Sequence, residues 1–266
     1  EFMASVLTSE KADVERVGFL ISECKKMGIE VLPPDINESL ENFTVVPRQN
    51  KIRFGLTAIK NVGYNVVKAI VQERKEQGIY QSVADFVGRV NSKDLNKKSL
   101  ESLIKAGVFD KLAERNQLLF NLERLLESAR ENQRVKANGQ RGLFDGISQN
   151  TSFRFNPVKV STKAEKLAWE KELLGLFVTS NPLEDFRKVL ESKTQSILKI
   201  KTILANRPVK IGGLISSIKR IITKTGKPML FMKLEDLDDK IEVVVFPGTI
   251  EKNPAAFQEN KIVLVS

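Results

Sequence analysis

Apolar residues recur with a helical period up to about residue 200 and then alternate with polar residues, as in β-strands. The first stripe predicts a helix with Asp13 as N-cap and Gly28 as its stop. Its apolar members are Val14, Val17, Ile21 and Cys24. Leu32-Pro33-Pro34-Asp35 follows and predicts an extended strap, because each proline disfavours helix in the residue before it. We interpret Asp35 as a residue whose side chain stabilises a turn.

The stretch from Ile52 to Lys75 contains two apolar stripes separated by Asn61-Val62-Gly63. Leu56 and Ile59 fit a short helix, and a longer helix follows with Val66, Val67, Ile70 and Val71 on its inner face. A short turn leaves the first amides of the second helix unpaired, and the helix dipole adds positive potential there. Gly63 can take a positive φ and allow another backbone to come close. Such a bend binds anions, and a phosphodiester is the obvious candidate.

Lys60, Lys68 and Arg74 add positive charge around this bend. The residues predicted to bind duplex DNA here are Lys60, Asn61, Val62, Gly63 and Lys68. The alternative is an ordinary helical hairpin with a glycine turn.

Two shorter helices are predicted next. Val83 to Val90 has Phe86 as its core anchor, and Ser99 caps a helix that carries Leu100, Leu103 and Ile104. Lys105-Ala106-Gly107 then forms a second, less regular glycine-containing turn between two helices. These three residues are predicted to bind the duplex. Gly107 as a simple helix stop is an equally open alternative.

One long helix is predicted from about Arg115 to Arg134. Its buried face would hold Leu118, Leu122, Leu125 and Ala129, with Leu119 and Leu126 beside them. Residues 135–157 lose periodicity and read as a linker. Inside it, Leu143 and Phe144 are adjacent bulky apolar residues without a core of their own, so an external pocket is worth considering.

Thr162 and Glu165 predict a capping box for a helix with Leu167, Trp169, Leu173 and Leu174. Beyond Arg207 four strands are predicted: Val209 to Ile222, Met229 to Glu235, Ile241 to Phe246, and Ile262 to Val265. A short helix is expected around Asn253 to Phe257. Strand, strand, strand, helix, strand is the order of an OB barrel, and it stops before a fifth strand.

In the second of these strands Leu230, Met232 and Leu234 share one face, which leaves Phe231 and Lys233 on the other. An aromatic ring with cations around it suits single-stranded nucleic acid. The predicted single-strand site is Lys219, Arg220, Lys224, Lys227, Phe231 and Lys233. Alternatively, Phe231 covers the barrel against the preceding helices.

Charge supports a polyanionic partner. The 266 residues carry a formal net charge of +10, and Ser192 to Leu234 holds ten Lys or Arg and no Asp or Glu. The single cysteine excludes an internal disulfide and fits a reducing cytoplasm, and histidine is absent. Glu235, Asp236, Asp238 and Asp239 form a dense acidic run, but a hairpin turn exposes such side chains singly to water. We therefore predict no metal site. No apolar run approaches the length of a membrane span, so no membrane segment is predicted either.

Several stretches together resemble C-family replicative polymerases, the family of the bacterial DNA polymerase III alpha subunit. The bend of Ile52 to Lys75 resembles a helix-hairpin-helix element. The stretches that carry the wider resemblance are EFMASVLTSEKADVERV, ECKKMGIEVLPPDINES, IRFGLTAIKNVG and KLAWEKELLGLFVTSNPL. They occur in family order over nearly the whole chain, which therefore looks like an internal fragment of a larger protein.

The resemblance implies a multidomain α + β fold, mostly helical in its N-terminal two-thirds, with an incomplete OB-fold barrel after it. The expected parts are the end of a fingers-like region (1–50), a tandem helix-hairpin-helix domain (51–134), a linker (135–157), a helical connector (158–204) and a partial OB domain (205–266).

The resemblance also implies a function. Gln140, Leu143 and Phe144 are similar to the motif that binds the sliding clamp, the beta subunit. The parent would be a cytoplasmic, nucleoid-associated DNA-directed DNA polymerase that uses Mg²⁺ in a palm domain and meets other replicase subunits. The segment itself would bind double- and single-stranded DNA without cofactor or catalytic residues. The alternative is a free-standing scaffold that joins hairpin and OB modules.

Overall fold

The computed structural model describes residues 1–90, 95–137, 155–156, 158–202, 207–223 and 226–266. These residues form two compact units, Glu1–Thr179 and Ser180–Ser266. The first is largely helical and the second contains a curled antiparallel sheet, so the predicted fold class is confirmed. The finer five-part division stays a prediction. None of the helices in the described ranges has the length and apolarity that crossing a bilayer requires.

The first unit begins with helices α1 (Phe2–Ser9) and α2 (Val14–Lys26). The Asp13 side chain accepts a hydrogen bond from the Arg16 amide, which confirms the predicted N-cap. Gly28 follows with φ 71°, a left-handed conformation that suits a glycine helix stop. Val17 and Cys24 are buried in the core.

A small three-stranded sheet, which the sequence analysis missed, follows α2. Strands β1 (Glu30–Leu32), β2 (Thr44–Val45) and β3 (Lys51–Arg53) pair in the order β1-β3-β2. The strap between β1 and β2 holds Asp35, whose Oδ1 accepts the amides of Asn37 and Glu38 at 2.8 and 3.1 Å. This geometry confirms that Asp35 provides turn chemistry.

The central helices follow as a short 3-10 helix (Leu56–Ala58), α3 (Tyr64–Gln77), α4 (Val83–Arg89) and α5 (Lys97–Lys105). The predicted inner face of α3 is buried, and Phe86 of α4 is fully buried against Tyr80 and Phe109. The prediction that Ser99 is the N-cap of α5 was wrong. Asn96 is the N-cap, and Ser99 is its capping-box partner one turn later.

The predicted long helix is two helices, α6 (Arg115–Phe120) and α7 (Leu122–Ala137). Asn121 separates them; it is buried, and its side chain donates to the Gln117 carbonyl at 2.8 Å. The apolar face continues through the break, since Leu118, Leu122 and Leu125 are all buried. The predicted buried face was therefore correct, but the prediction of one continuous helix was wrong.

Helix α8 (Lys163–Leu174) begins at the predicted capping box of Thr162 and Glu165. A buried ion pair holds it against the end of α5: Arg115 Nη2 lies 3.2 Å from Glu170 Oε1, and Arg115 also donates to the Lys105 carbonyl. Burial acts to lower the pKa of Arg115, but Asp110 and Glu170 outweigh it and raise that pKa. The helix is thus part of the first unit's packing.

The second unit opens with a 3-10 helix (Glu184–Phe186), α9 (Arg187–Lys193) and α10 (Ile197–Ile200). Its strands are β4 (Ile211–Ile222), β5 (Pro228–Glu235), β6 (Lys240–Val245) and β7 (Ile262–Val265). They pair antiparallel in the order β6-β5-β4-β7, a half-barrel whose strands agree with the prediction to within two residues.

The helix between β6 and β7 was placed wrongly. It is α11 (Pro247–Lys252), which begins with proline at its first position, directly after β6. Proline fits there because its fixed φ suits the first turn and no amide is needed. The predicted Asn253 to Phe257 contains only a turn.

Candidate nucleic-acid interface

The bend between the 3-10 helix and α3 has a backbone that differs from the prediction. Gly63 has φ −74° and ψ 152°, so it does not use a positive φ; Asn61 takes the left-handed conformation instead, with φ 66°. Asparagine tolerates that region better than most residues. A Cβ added to Gly63 would meet nothing within 4 Å, so this backbone faces open space.

The start of α3 offers unpaired amides to solvent. Gly63, Tyr64 and Asn65 are exposed, and Gly63 provides no side-chain cap. Within the described residues, no acceptor is hydrogen bonded to the amides of these three residues. The helix dipole adds positive potential at the same point. Val62 contributes less, because it is buried and its amide donates to the Ile59 carbonyl at 3.2 Å.

These amides border a surface pocket of about 340 Å³. The pocket joins the start of α3 to the start of α5, and its lining residues are polar apart from one aromatic ring and one glycine. They are Asn61, Gly63, Tyr64, Asn65, Asn96 and Ser99. The sequence analysis missed Tyr64, whose ring is 56% exposed beside the free amides.

Two of the three predicted cations near the bend have no ion pair with any residue in the described ranges. Lys60 and Lys68 are exposed. Arg74 is not available, because its guanidinium donates to the carbonyls of Ile36 and Ser39 at 2.6 and 2.7 Å. Burial also lowers the pKa of Arg74. Arg74 therefore anchors the strap, which corrects its predicted role as a mobile charge.

The second predicted turn, Lys105-Ala106-Gly107, is a buried helix stop. Gly107 has φ 83°, its amide donates to the Ile104 carbonyl, and the Val108 amide donates to Leu103. This pair of bonds is a Schellman motif, so the amides are already satisfied. Ala106 and Gly107 are buried. A phosphate cannot reach these amides, and the alternative of a simple helix stop describes the geometry.

Lys105 already has partners within the protein. Its Nζ lies 2.6 Å from Glu101 Oε1, and its carbonyl accepts a hydrogen bond from Arg115. The Arg115 guanidinium covers Gly107 so closely that an added Cβ would lie 2.3 Å from Nη2. The tandem arrangement therefore offers one open bend in this structure rather than two equivalent bends.

The second unit presents a mixed aromatic and cationic sheet face. Lys219 is paired with Phe231, and Phe231 is paired with Val244 on the other side, so these three side chains share one face. Leu230, Met232 and Leu234 fill the opposite, buried face. Phe231 is half-buried and Lys233 is exposed.

The remaining predicted cations do not all share that face. Arg220 is paired with Leu230, which places it on the barrel-filling side at the exposed end of β4. Lys227 is exposed at the β4–β5 turn. Lys224 lies outside the described residues. Glu242 is an unpredicted neighbour, because it is exposed and directly opposite Lys233.

Comparisons with known proteins agree with this division into two modules. A helix-hairpin-helix motif model matches residues 28–118, and an OB-fold nucleic acid binding domain model matches residues 209–266. The DNA polymerase III subunit alpha of Borreliella burgdorferi is 39% identical over 260 residues, which cover 94% of this chain and 22% of that protein. The subunit of Thermus aquaticus is 34% identical over 269 residues, which cover 100% of the chain and 22% of the relative.

Nearly the whole chain is similar to one segment of the DNA polymerase III alpha subunits. It spans about a fifth of the length of the curated relatives that it matches, such as 23% of the Mycobacterium tuberculosis protein at 35% identity. The two module matches support a nucleic-acid-binding role for the segment. The predicted clamp-binding residues Gln140, Leu143 and Phe144 lie outside the described residues.

The acidic run of the second unit is structural. Asp236 Oδ1 accepts the amides of Asp238 and Asp239, and its Oδ2 accepts the Ile197 amide at 2.6 Å. Asp239 pairs with Lys201 at 2.7 Å. These side chains hold α10 rather than pointing singly into water, which corrects the prediction.

Asp236 and Asp238 lie two positions apart in the hairpin turn between β5 and β6. Their carboxylates are engaged with the two amides and with the Ser196 hydroxyl. The described part of the chain has no cluster of three or more acidic, histidine or cysteine side chains able to hold a metal ion. The Mg²⁺ expected of the parent polymerase is not assigned to any residue here.

Proposed function

We propose that this segment is the DNA-holding and clamp-tethering part of a bacterial replicative DNA polymerase. The observation that carries the proposal is the run of exposed, unpaired amides at Gly63, Tyr64 and Asn65 beside Lys60 and Lys68. Backbone amides contact the sugar-phosphate chain and do not read bases, so they would grip the duplex product at any sequence.

The second unit would guide the single-stranded template. Lys219, Lys227 and Lys233 would neutralise phosphates, and Phe231 would stack on a base. Arg220 at the end of β4 would add charge to the same electrostatic surface without contacting the stacked base. Arg220 would therefore raise the affinity for the DNA backbone but would not contact a base.

Gln140, Leu143 and Phe144 would bind the sliding clamp. Their sequence pattern and their position between the helix-hairpin-helix and OB modules support this assignment. A tether of this kind keeps the polymerase near the primer end after each dissociation, since it raises the effective concentration of the DNA-binding modules. Processivity would follow without any tight single contact.

The segment alone would not polymerise nucleotides. Nucleotidyl transfer by two metal ions needs carboxylates that converge on both ions, and we assign these, with Mg²⁺, to the palm of the parent polymerase. Other replicase subunits and a location at the nucleoid belong to the same proposal for the whole protein. An extension assay on primed template with this chain and Mg²⁺ should give no product, and any template-dependent product would contradict the assignment.

Titrations with two unrelated duplexes of equal length test the grip. The affinities should agree with each other and should fall steeply with salt, because phosphate contacts release counterions. A complex that ignores salt, or that prefers one duplex strongly, would contradict backbone binding. If the chain bound the sliding clamp but no duplex, only the clamp-tethering part of the proposal would stand.

The tether is tested with Leu143→Ala and Phe144→Ala introduced together. Capture by immobilised sliding clamp should be lost, while duplex affinity should stay within twofold of the parent chain. Retained capture would reject the motif. Loss of both activities, with an altered melting temperature, would indicate that the two side chains support the fold instead.

A further inference from the structure

A second aromatic ring, Phe246, lies on the sheet face that carries Phe231. Phe231 is paired with Val244. Phe246 follows two residues later with an extended backbone, φ −78° and ψ 157°, so its side chain is on the same side as Val244. Its ring is 63% exposed, and Val244 is 40% exposed. The intervening Val245 is 5% exposed and faces the barrel interior.

The register makes the two rings neighbours. The last pair of the β5–β6 register is Leu230 with Val245, and Phe246 follows it directly. Extension of that register by one residue makes Phe246 the diagonal neighbour of Phe231, a relation in which Cα atoms are about 7–8 Å apart. Each ring can therefore present its own surface. The packing of the half-barrel does not explain Phe246, because the buried cluster of this unit is formed by the opposite face.

The charges around the two rings indicate what kind of ligand would bind there. Lys219 is directly opposite Phe231, Lys233 lies two residues further along β5, and both are exposed. Lys227 is exposed at the turn before β5. A ligand with flat apolar groups on a polyanionic chain matches rings framed by cations, and single-stranded DNA has that chemistry.

We propose that Phe231 and Phe246 form a two-ring stacking platform for two bases of single-stranded DNA. Val244 fills the space between them, and Lys219, Lys227 and Lys233 hold the neighbouring phosphates. The inference rests on the proposed single-strand function and adds a base-contacting residue to it.

Fluorescence anisotropy with a labelled 16-nucleotide oligo-dT tests the platform in the full chain. Phe246→Ala should weaken binding by about 5- to 150-fold, the equivalent of one lost base stack. Phe246→Trp should restore it. Phe186→Ala is the matched control, since Phe186 is an exposed aromatic of the same unit, 44% accessible and outside the sheet. It should change affinity less than twofold.

An abasic oligonucleotide of the same length separates the platform from the basic surface. The parent chain should bind it at least fivefold more weakly than oligo-dT, and Phe246→Ala should show a smaller difference between the two, because only Phe231 is left to stack on a base. Equal affinity of the parent chain for the two would overturn the platform and leave the cationic single-strand surface standing. Failure to bind either oligonucleotide would overturn the single-strand function itself. An unchanged Phe246→Ala affinity would contradict the two-ring platform, because Phe246 would then not contact a base.

Discussion

At the residue scale, Gly63 and Gly107 show how two similar sequence signals acquire different roles. Each glycine follows a lysine and a helix, and both were candidates for contact with a phosphate chain. Gly63 has a negative φ and open space around it, whereas Gly107 has φ 83° under the Arg115 guanidinium. The difference depends on Arg115, which the local pattern around Gly107 does not include.

Replacement of Gly63 by alanine should therefore separate binding from stability. The conformation of Gly63 is available to alanine, so stability should be unchanged or rise by about 0.4–1 kcal/mol. The methyl group would occupy the space that a phosphate needs, and loss of one charge-assisted hydrogen bond would cost about 1.5–3 kcal/mol of duplex affinity. Duplex titration and urea unfolding measure the two effects.

Gly107→Ala is the matched control. Its left-handed backbone and the clash with Arg115 should lower the free energy of unfolding by about 1–3 kcal/mol. At a temperature where the variant remains folded, duplex affinity should be unchanged. Weaker duplex binding by Gly107→Ala with full stability would reverse the roles that the structure assigns to the two glycines.

At the scale of elements, the sequence predicted what depends on local pattern. The four OB strands, the Asp13 cap, the capping box of α8 and the buried faces of α3 and α5 were all correct. The short sheet was missed because strands of two or three residues carry no measurable alternation. The break at Asn121 was missed because the apolar face continues across it, and only a buried side-chain bond marks it.

The free amides of α3 were predictable from the short turn, but their exposure was not. Which side of a turn is buried depends on residues distant in the chain, such as the contact between the Lys60 amide and the Leu173 carbonyl at 3.0 Å. Phe246 was assigned to a strand without a role, because its significance appears only once register with β5 is known.

Glu114 links two elements and gives a pH-dependent prediction. Its carboxylate caps α6 through the Gln117 amide at 3.0 Å and accepts the Ser161 amide at 2.8 Å. Burial acts to raise its pKa, but the hydrogen bonds from Ser161 and Gln117 outweigh this and lower it. A carboxylate with a lowered folded pKa stabilises the protein above its unfolded pKa of about 4.3, and this contribution disappears as pH falls through the folded value.

Glu114→Gln should remove this contribution. At pH 7 the variant should be less stable by about 1 kcal/mol, the typical net value of such a hydrogen bond. The difference from the parent chain should shrink as the pH falls below about 4. Urea unfolding across this range measures it, and a difference that stays constant with pH would show that ionisation of Glu114 does not contribute.

At the scale of the whole molecule, the chain combines a helix-hairpin-helix motif with an OB-fold nucleic acid binding domain. The stretch from Ser192 to Leu234 holds ten Lys or Arg and no acidic residue, and it includes the first strands of the OB-fold match. Charge and module identity were therefore available from the sequence. That the unpaired amides at the start of α3 lie close to exposed lysines could be seen only in the folded chain.

The account depends most on the amides at the start of α3, and NMR of the ¹⁵N-labelled chain with a short duplex tests them directly. The amide signals of Gly63, Tyr64 and Asn65 should shift in proportion to bound duplex, and they should return when salt displaces the DNA. The buried Gly107 amide should remain in place. Duplex binding that leaves the three α3 amides unshifted, while signals elsewhere move, would contradict the proposed grip on the phosphate backbone.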